Sequence, residues 1–199
     1  MEEDTASSSR ARSDTRRIAD ELCQGYIAHS LGRKGFSDAI PPRMAAACRS
    51  ADTSRVLKRL QPLADSFEDS NPEVFRDLIL RLDVTAETAY KSFVDTSLEL
   101  FDDGIKWGRI VGLYALSAAV AVECVRRNLN RFIVKVYEWL FTFITDNLLE
   151  WIVDHSGWEG FMEFYGQREQ GANDHFWTFN KIGGVVAMGG LLAAALFMK

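Results

Sequence analysis

The sequence predicts an all-α protein, and three observations support this fold class. Apolar residues recur every three to five positions along most of the chain, as on one face of an α-helix. Short segments of alternating apolar and polar residues, which indicate strands, are absent, and so are the dipeptides of tight hairpins. Residues that favour helix starts, such as Thr53 and Pro72, precede the apolar stretches. We therefore expect a bundle of helices.

The first predicted helix covers residues 14–33. Residues 1–15 are polar and rich in Ser and Arg, so we expect them to be disordered. The apolar face of this helix is formed by Ile18, Leu22, Tyr26, Ile27 and Leu31. Pro41-Pro42 forbids a regular helix in the connection that follows.

Three further helices are predicted before residue 101. The first begins at Asp52 or Thr53, and Pro62 should interrupt or kink it. The second begins at Pro72 with Asn71 as its N-cap. The third begins near Thr85.

Residues 107–125 are mostly apolar and small, which predicts a central helix wrapped by the others. A second long helix should cover residues 130–155 and end at Ser156-Gly157. A short amphipathic helix follows, so that the predicted helical domain covers residues 16–166.

The C-terminal segment reads as a membrane anchor. Residues 182–198 carry no charge, and with the preceding FWTFN they reach the roughly 20 residues that cross a bilayer. We predict a linker at residues 167–175 and a transmembrane tail at 176–199; a buried core helix is the alternative. The start of the chain has no apolar run, so no signal peptide is expected.

Composition excludes several classes of function. The net charge of −5 argues against nucleic acid as the main partner. The three cysteines are widely spaced, which favours free thiols. The histidines His29, His155 and His175 lack metal-ligand spacing and are predicted to be surface or cap residues. Since nucleophile and phosphate-binding motifs are also missing, we expect a protein that is not an enzyme and holds no cofactor or metal.

The strongest functional signal is the segment from Glu99 to Val111. The turn at residues 102–104 places Gly108 and Arg109 at the start of the central helix. Gly108 allows close approach of another backbone, and Arg109 can bind a carboxylate through two N–H groups. A cation at this end opposes the helix dipole, which suggests an external anionic partner. The alternative is an arginine paired with a carboxylate of the same chain.

Four segments resemble the homology motifs of the B-cell lymphoma 2 (Bcl-2) family of apoptosis regulators. FDDGIKWGRIV, at residues 101–111, resembles the first motif, and WIVDHSGWEGF, at 151–161, resembles the second with Ser156 in place of a glycine. VLKRLQPLADSF, at 56–67, resembles the third, and residues 26–36 resemble the fourth. The motifs occur in the family's order and precede an apolar tail.

The resemblance implies a bundle of about eight helices around a central hydrophobic helical hairpin, followed by a C-terminal transmembrane helix. It also implies a groove for the third-motif (BH3-type) amphipathic helix of a pro-apoptotic partner, whose aspartate binds Arg109. The other matching groove residues are Phe67, Phe75, Leu78, Phe93, Glu99, Leu100, Asp103, Gly108, Val111, Gly112, Leu116 and Tyr165. The chain's own third motif comprises Val56, Leu60, Leu63, Ala64, Asp65 and Phe67. Ordinary core packing is the alternative for each apolar position.

Two departures from the family pattern affect the expected groove. Lys106 replaces the usual Asn, so one polar contact to a partner is lost or changed. Asn71 stands where survival members often have an aromatic residue, which would widen one pocket.

The resemblance favours a survival member at the mitochondrial outer membrane or the endoplasmic reticulum membrane, with the domain in the cytosol. Pro62 supports this, because a proline within the third-motif helix makes it a poor ligand for another groove. A pore-forming effector of the same fold is the second hypothesis, and a structural tail-anchored protein without a groove partner is the third.

Overall fold

The computed structural model describes the backbone of residues 2–47, 50–81 and 89–166, and within these ranges the side chains other than those of residues 2–5, 78–81 and 89. All regular elements in these ranges are helical, which confirms the predicted fold class. The α-helices are α1 (Glu2–Arg33), α2 (Pro42–Ala45), α3 (Ala51–Ser70), α4 (Pro72–Arg81), α5 (Ala89–Glu99), α6 (Trp107–Arg126), α7 (Ile133–Phe143), α8 (Leu149–Asp154) and α9 (Gly157–Gly166). The predicted linker and tail anchor lie outside the described residues.

Helix α6 is the centre of the bundle, as predicted from its lack of polar residues. Sixteen of its residues are buried, and α1, α3, α4 and α7 all pack against it. It is also long and apolar enough to cross a membrane, yet 83% of its most apolar window is buried within the protein. Burial by the surrounding helices therefore explains its composition.

Helices α1 and α3 cover one side of α6 with the apolar faces that their spacing predicted. Leu22, Tyr26 and Ile27 of α1 have no exposed surface. In α3, Leu60 and Ala64 are equally buried. The Ser50 side chain accepts a hydrogen bond from the Thr53 amide at 3.1 Å and so fixes where α3 begins.

An aromatic cluster holds the start of α6 against the α8–α9 corner. The Trp107 ring lies 5.0 Å from Trp151 and 5.6 Å from Phe161, between centroids. The Trp158 indole donates a hydrogen bond to the Thr15 carbonyl of α1 at 3.1 Å. The first and second motifs are thus adjacent in space, although residues 101–111 and 151–161 are far apart in sequence.

The prediction that residues 1–15 are disordered is wrong for the described part, because α1 begins at Glu2. This segment contains Ala, Glu and Arg, which favour helix. The Arg12 guanidinium also pairs with Glu150 at 2.6 Å. Residues 6–14 are exposed, which explains why no apolar periodicity predicted the helix.

Two proline predictions need correction. Helix α3 runs without interruption through Pro62, since its buried face continues on both sides of the proline. Pro42 begins the short helix α2, because a proline at the first position needs no backbone N–H donor.

Asn71 precedes α4 as predicted, and its carbonyl accepts the first hydrogen bond of this helix, from the Phe75 amide at 3.2 Å. Its side chain does not cap α4, however, because the side-chain amide donates to the Phe67 carbonyl at 2.8 Å and so caps the end of α3.

The long helix predicted at residues 130–155 is divided. A 3₁₀ turn (Asn130–Phe132) precedes α7, and a π-helical segment (Ile144–Leu148) joins α7 to α8. The Asn147 amide donates to the Phe143 carbonyl at 3.0 Å, and the Thr145 hydroxyl donates to Thr142 at 2.9 Å. These side chains bind carbonyls at the change of helical register, a local feature that apolar spacing does not predict.

Candidate partner-helix groove

Predicted groove residues from α3, α4 and α6 lie close together. The Phe67 ring of α3 packs edge-on against Phe75 of α4, with centroids 5.7 Å apart. A Cβ atom added to Gly112 of α6 would lie 3.3 Å from the Phe67 ring and 3.8 Å from Leu100. Gly112 therefore lets an aromatic ring approach the helix backbone closely.

Burial differs among the remaining apolar positions. Val111 and Leu116 of α6 are 0% and 3% exposed, so they belong to the core and not to an open surface. Leu100 is half-buried. Phe93 is fully buried and packs against Trp139 of α7 at 5.9 Å, which makes it a core contact between α5 and α7.

Arg109 lies in the first turn of α6 and its side chain is only 6% exposed. Its guanidinium donates to the Gly104 carbonyl at 2.9 Å and to the Asp103 carboxylate at 2.8 Å. Arg109 is thus paired with a carboxylate of its own chain, which was the alternative to an external anionic partner. The Asp103 side chain is 58% exposed, so solvent screens this pair and the carboxylate faces the surface.

Helix α9 closes the end of the site near Arg109. A Cβ atom on Gly108 would lie 3.9 Å from the Tyr165 hydroxyl oxygen, and Tyr165 is 4% exposed. The Arg59 guanidinium of α3 donates to the Tyr165 carbonyl at 2.5 Å. The sequence provided Gly108 and Tyr165 but not Arg59, whose role depends on the position of α9.

Two further predicted groove residues, Glu99 and Leu78, are described only by their positions on α5 and α4. Glu99 ends α5 and is half-buried. Leu78 belongs to α4, but its side chain lies outside the described set.

The chain's own third motif faces the bundle interior. Val56, Leu60, Ala64 and Phe67 are between 0% and 4% exposed, and Leu63 is half-buried. The Asp65 carboxylate accepts hydrogen bonds from the Tyr26 hydroxyl at 3.0 Å and lies 2.8 Å from His29 Nε2. The third motif is therefore an integral part of the fold.

Tyr26, His29 and Arg33 are contacts of Asp65 that the sequence reasoning missed. They lie three and four positions apart on α1, and this polar stripe beside an apolar face was the available signal. His29 is thus an interhelical contact instead of the expected surface or cap residue. His155 does end a helix, with Nδ1 2.7 Å from the Trp151 carbonyl, whereas His175 lies outside the described residues.

Burial controls the chemistry of the groups around this contact. Burial, followed by the charge of Asp65, raises the pKa of Tyr26, so the phenol remains a proton donor. Burial also raises the pKa of Cys23, and that of Cys124 to about 11. Both thiols are free in the structure, while Cys48 lies outside the described residues. Neither buried thiol suits nucleophilic chemistry.

Sequence comparisons place the chain in a family. A model of apoptosis regulator proteins of the Bcl-2 family matches residues 60–158. Apoptosis regulator R1 of Xenopus laevis is 31% identical over 166 residues, which cover 78% of this chain and 69% of the relative. The chain belongs to the Bcl-2 family of apoptosis regulators.

Individual relatives extend the comparison. Bcl-2-like protein 1 of Gallus gallus is 34% identical over 148 residues, or 70% of this chain. The human protein of the same name is 34% identical over 146 residues. The chain matches 65% of the length of the Gallus gallus protein and 63% of the human one.

Solved structures share the fold. Trichoplax adhaerens trBcl-2L2 bound to trBak BH3 has a TM-score of 0.69 at 26% identity and covers 76% of this chain and 99% of its own. Chicken BOK has a TM-score of 0.65 at 26% identity and covers 77% and 98%.

Proposed function

We propose that this apoptosis regulator is a survival-type binding protein without catalytic activity. It holds the third-motif helix of a pro-apoptotic partner in the groove above α6 and so restrains permeabilisation of the mitochondrial outer membrane. Residues 176–199 anchor it there or in the endoplasmic reticulum membrane, with the helical domain in the cytosol. Partner helices with the pattern apolar–x-x-x–Leu-x-x–apolar–Gly–Asp fit this site.

The observation that carries the proposal is the position of Arg109. Its buried guanidinium belongs to α6, three residues before Gly112. The Phe67 ring approaches Gly112 and packs in turn against Phe75. A partner's aspartate replaces or joins the exposed Asp103 at this guanidinium, which has five N–H donors. Apolar anchors supply affinity and the ion pair fixes register, as in other helix-in-groove complexes.

Two further observations favour a survival role over an effector role. The relatives named Bcl-2-like protein 1 reach 34% identity, and the similar trBcl-2L2 was crystallised with a BH3 segment. The own third motif is buried with Asp65 bound to α1, so this helix is withheld from other grooves.

Peptide titration tests the proposal. We expect a fluorescent third-motif peptide to bind the full chain, and Arg109→Ala to weaken binding by at least about tenfold through loss of a charge-assisted hydrogen bond. Arg12→Ala is the matched control, since it removes an exposed arginine ion pair between α1 and α8. Binding that is equally strong in both variants, or no binding to the unaltered chain, would contradict the assigned groove.

A pore-forming effector is the second candidate, because α6 meets the length and apolarity of a membrane-spanning helix and chicken BOK has the same fold. Dye release from liposomes separates the two functions. A survival protein alone leaves the liposomes intact and suppresses release by an added pore former. An effector releases dye by itself after activation.

A further inference from the structure

A cleft of about 440 Å³ opens where α1, α3 and the α8–α9 corner meet. We call it the corner cleft, and the residues of its lining that define it are Asp14, Thr15, Asp52, Arg55, Trp158 and Glu159. None of the predicted groove residues belongs to this lining. The volume of the cleft lies in the range of sites that bind small organic molecules. The corner cleft is therefore a candidate ligand site that is separate from the groove proposed for a partner helix.

Part of the lining of the corner cleft is apolar and fixed in place. Trp158 and Val56 are buried, and Ile18 and Val153 are half-buried. The Trp158 indole donates a hydrogen bond to the Thr15 carbonyl, so its ring has a defined orientation. A ligand of this cleft therefore needs an apolar part that can pack against these side chains.

The charged part of the lining has an excess of negative charge. Asp14, Asp52 and Glu159 contribute three exposed carboxylates, against the single guanidinium of Arg55 among the residues of the lining. Arg55 forms an ion pair with Glu159. Asp14 lies 3.9 Å from Arg17 Nε, and the Asp52 carboxylate has no hydrogen bond or ion pair within the described residues. The carboxylates that remain call for a ligand with positive charge.

Thr15 provides a second, independent observation. This residue is only 5% exposed, and its Oγ1 atom lies 3.0 Å from the place that a Cβ atom on Gly157 would take, in the wall of the same cleft. In the part of the chain that the structure describes, no group forms a hydrogen bond with this hydroxyl. Burial of a hydroxyl without a partner is unfavourable. A ligand that brings an N–H donor into the cleft removes this cost.

We propose that the corner cleft binds a small organic dication, an unbranched alkyl chain that carries an ammonium group at each end. The two ammonium groups bind the carboxylates of Asp14 and Asp52, and the Thr15 hydroxyl accepts a hydrogen bond from one of them. The methylene groups of the ligand pack against Trp158 and Val56. A diamine is the class of ligand because its two charges equal the excess of carboxylates over guanidinium in the lining. The bound ligand links α1 to the first turn of α3.

Titration of the full chain with cadaverine, the five-carbon diamine, tests the proposal. The readout is the indole N–H resonance of Trp158 in heteronuclear NMR spectra, because this group lies in the lining and is hydrogen-bonded to Thr15. We expect a saturable shift of this resonance, whereas the indole of Trp139, which packs against Phe93 outside the cleft, should not shift. The uncharged five-carbon diol should bind at least about tenfold more weakly than the diamine. The absence of a saturable shift, or equal affinity for the diol, would overturn the proposal.

A pair of substitutions separates binding in the cleft from attraction by the net charge of the protein. Asp52→Asn removes a carboxylate of the cleft and should weaken cadaverine binding by about threefold or more. Asp95→Asn is the matched control, since it changes the net charge equally at an exposed position of α5 outside the cleft. It should leave the affinity unchanged. If both substitutions weaken binding equally, the diamine follows the net charge and the proposal is wrong.

Thr15→Val tests the contribution of the buried hydroxyl. The substitution should leave the fold intact, because the hydroxyl has no partner within the described residues, but it should weaken cadaverine binding through the loss of an acceptor. Unchanged affinity in a folded variant would contradict the assigned contact. If circular dichroism shows that the variant is unfolded, the comparison of Asp52→Asn with Asp95→Asn decides the question.

Discussion

The side chain of Arg109 makes a structural contact and is also the group that we propose to bind a partner's carboxylate. Two of its N–H groups hold the Gly104 carbonyl and the Asp103 carboxylate, and this fixes the loop before α6. The motif predicted the position of the arginine at the helix start. It did not predict the pairing with Asp103, because the choice between an internal and an external carboxylate depends on loop geometry.

The backbone at Ser156 is strained. Ser156 is also the residue that replaces a glycine of the second motif. Its φ of 66° lies in the left-handed region, which costs a non-glycine residue about 1–2 kcal/mol. We expect Ser156→Gly to raise the free energy of unfolding by about 1 kcal/mol in urea denaturation.

A Ser→Gly substitution within a regular helix should instead lower the free energy of unfolding. Ser66 is exposed within α3, so Ser66→Gly should destabilise the protein by about 0.5 kcal/mol. A Ser156→Gly variant no more stable than the unaltered protein would mean that the turn tolerates serine without strain.

Among the elements, α3 shows what the sequence could and could not predict. Its apolar spacing was predicted correctly, because it follows from local periodicity. The helix starts within two residues of the predicted position, but its N-cap is Ser50, and the predicted caps Asp52 and Thr53 lie inside the helix. The continuous path through Pro62 was not predicted, since packing on both sides of the proline outweighs its local preference. The contacts of Asp65 with α1 also escaped prediction, because they join residues that lie between 32 and 39 positions apart.

The contribution of the α3 N-cap to stability can be tested by a substitution at Ser50. Ser50→Ala leaves the Thr53 amide without its 3.1 Å acceptor and should lower the free energy of unfolding by about 1 kcal/mol. Thermal unfolding followed by circular dichroism measures the change. Ser66→Ala, an identical substitution at an exposed position of the same helix, should not destabilise the protein. Equal melting temperatures for the two variants would exclude a capping role for Ser50.

At the scale of the molecule, the sequence predicted the all-helical class and the central helix. Both follow from the amount and spacing of apolar residues, and α6 has the burial that its composition requires. The division of the long helix at Ile144–Leu148 and the closure of the site by α9 could not be predicted, because they arise from tertiary packing. The tail anchor at 176–199 stays a prediction.

The buried phenols and thiols predict a loss of stability at alkaline pH. Burial raises the pKa of Cys124 from 9.0 to about 11, and it also raises the pKa of Cys23, Tyr26, Tyr114 and Tyr137. The folded state therefore holds these protons more tightly than the unfolded chain. Their contribution is fully present below pH 9.0 and is lost as the pH rises towards the folded-state values.

Melting temperatures measured in steps above pH 9.0 check this sign. They should fall steadily, and Cys124→Ala should reduce the slope between pH 9.0 and about 11. A melting temperature that stays constant or rises over this interval would show that the buried protons do not stabilise the fold.

In the proposed complex Arg109 binds the acidic residue of a foreign helix, and a double-mutant cycle tests this contact most directly. The affinity of a third-motif peptide and of its Asp→Asn form is measured for the full chain and for Arg109→Ala. We expect each single change to weaken binding and the second to add little, with a coupling energy of at least about 1.5 kcal/mol. Losses that simply add would place the peptide's aspartate elsewhere and would contradict the account.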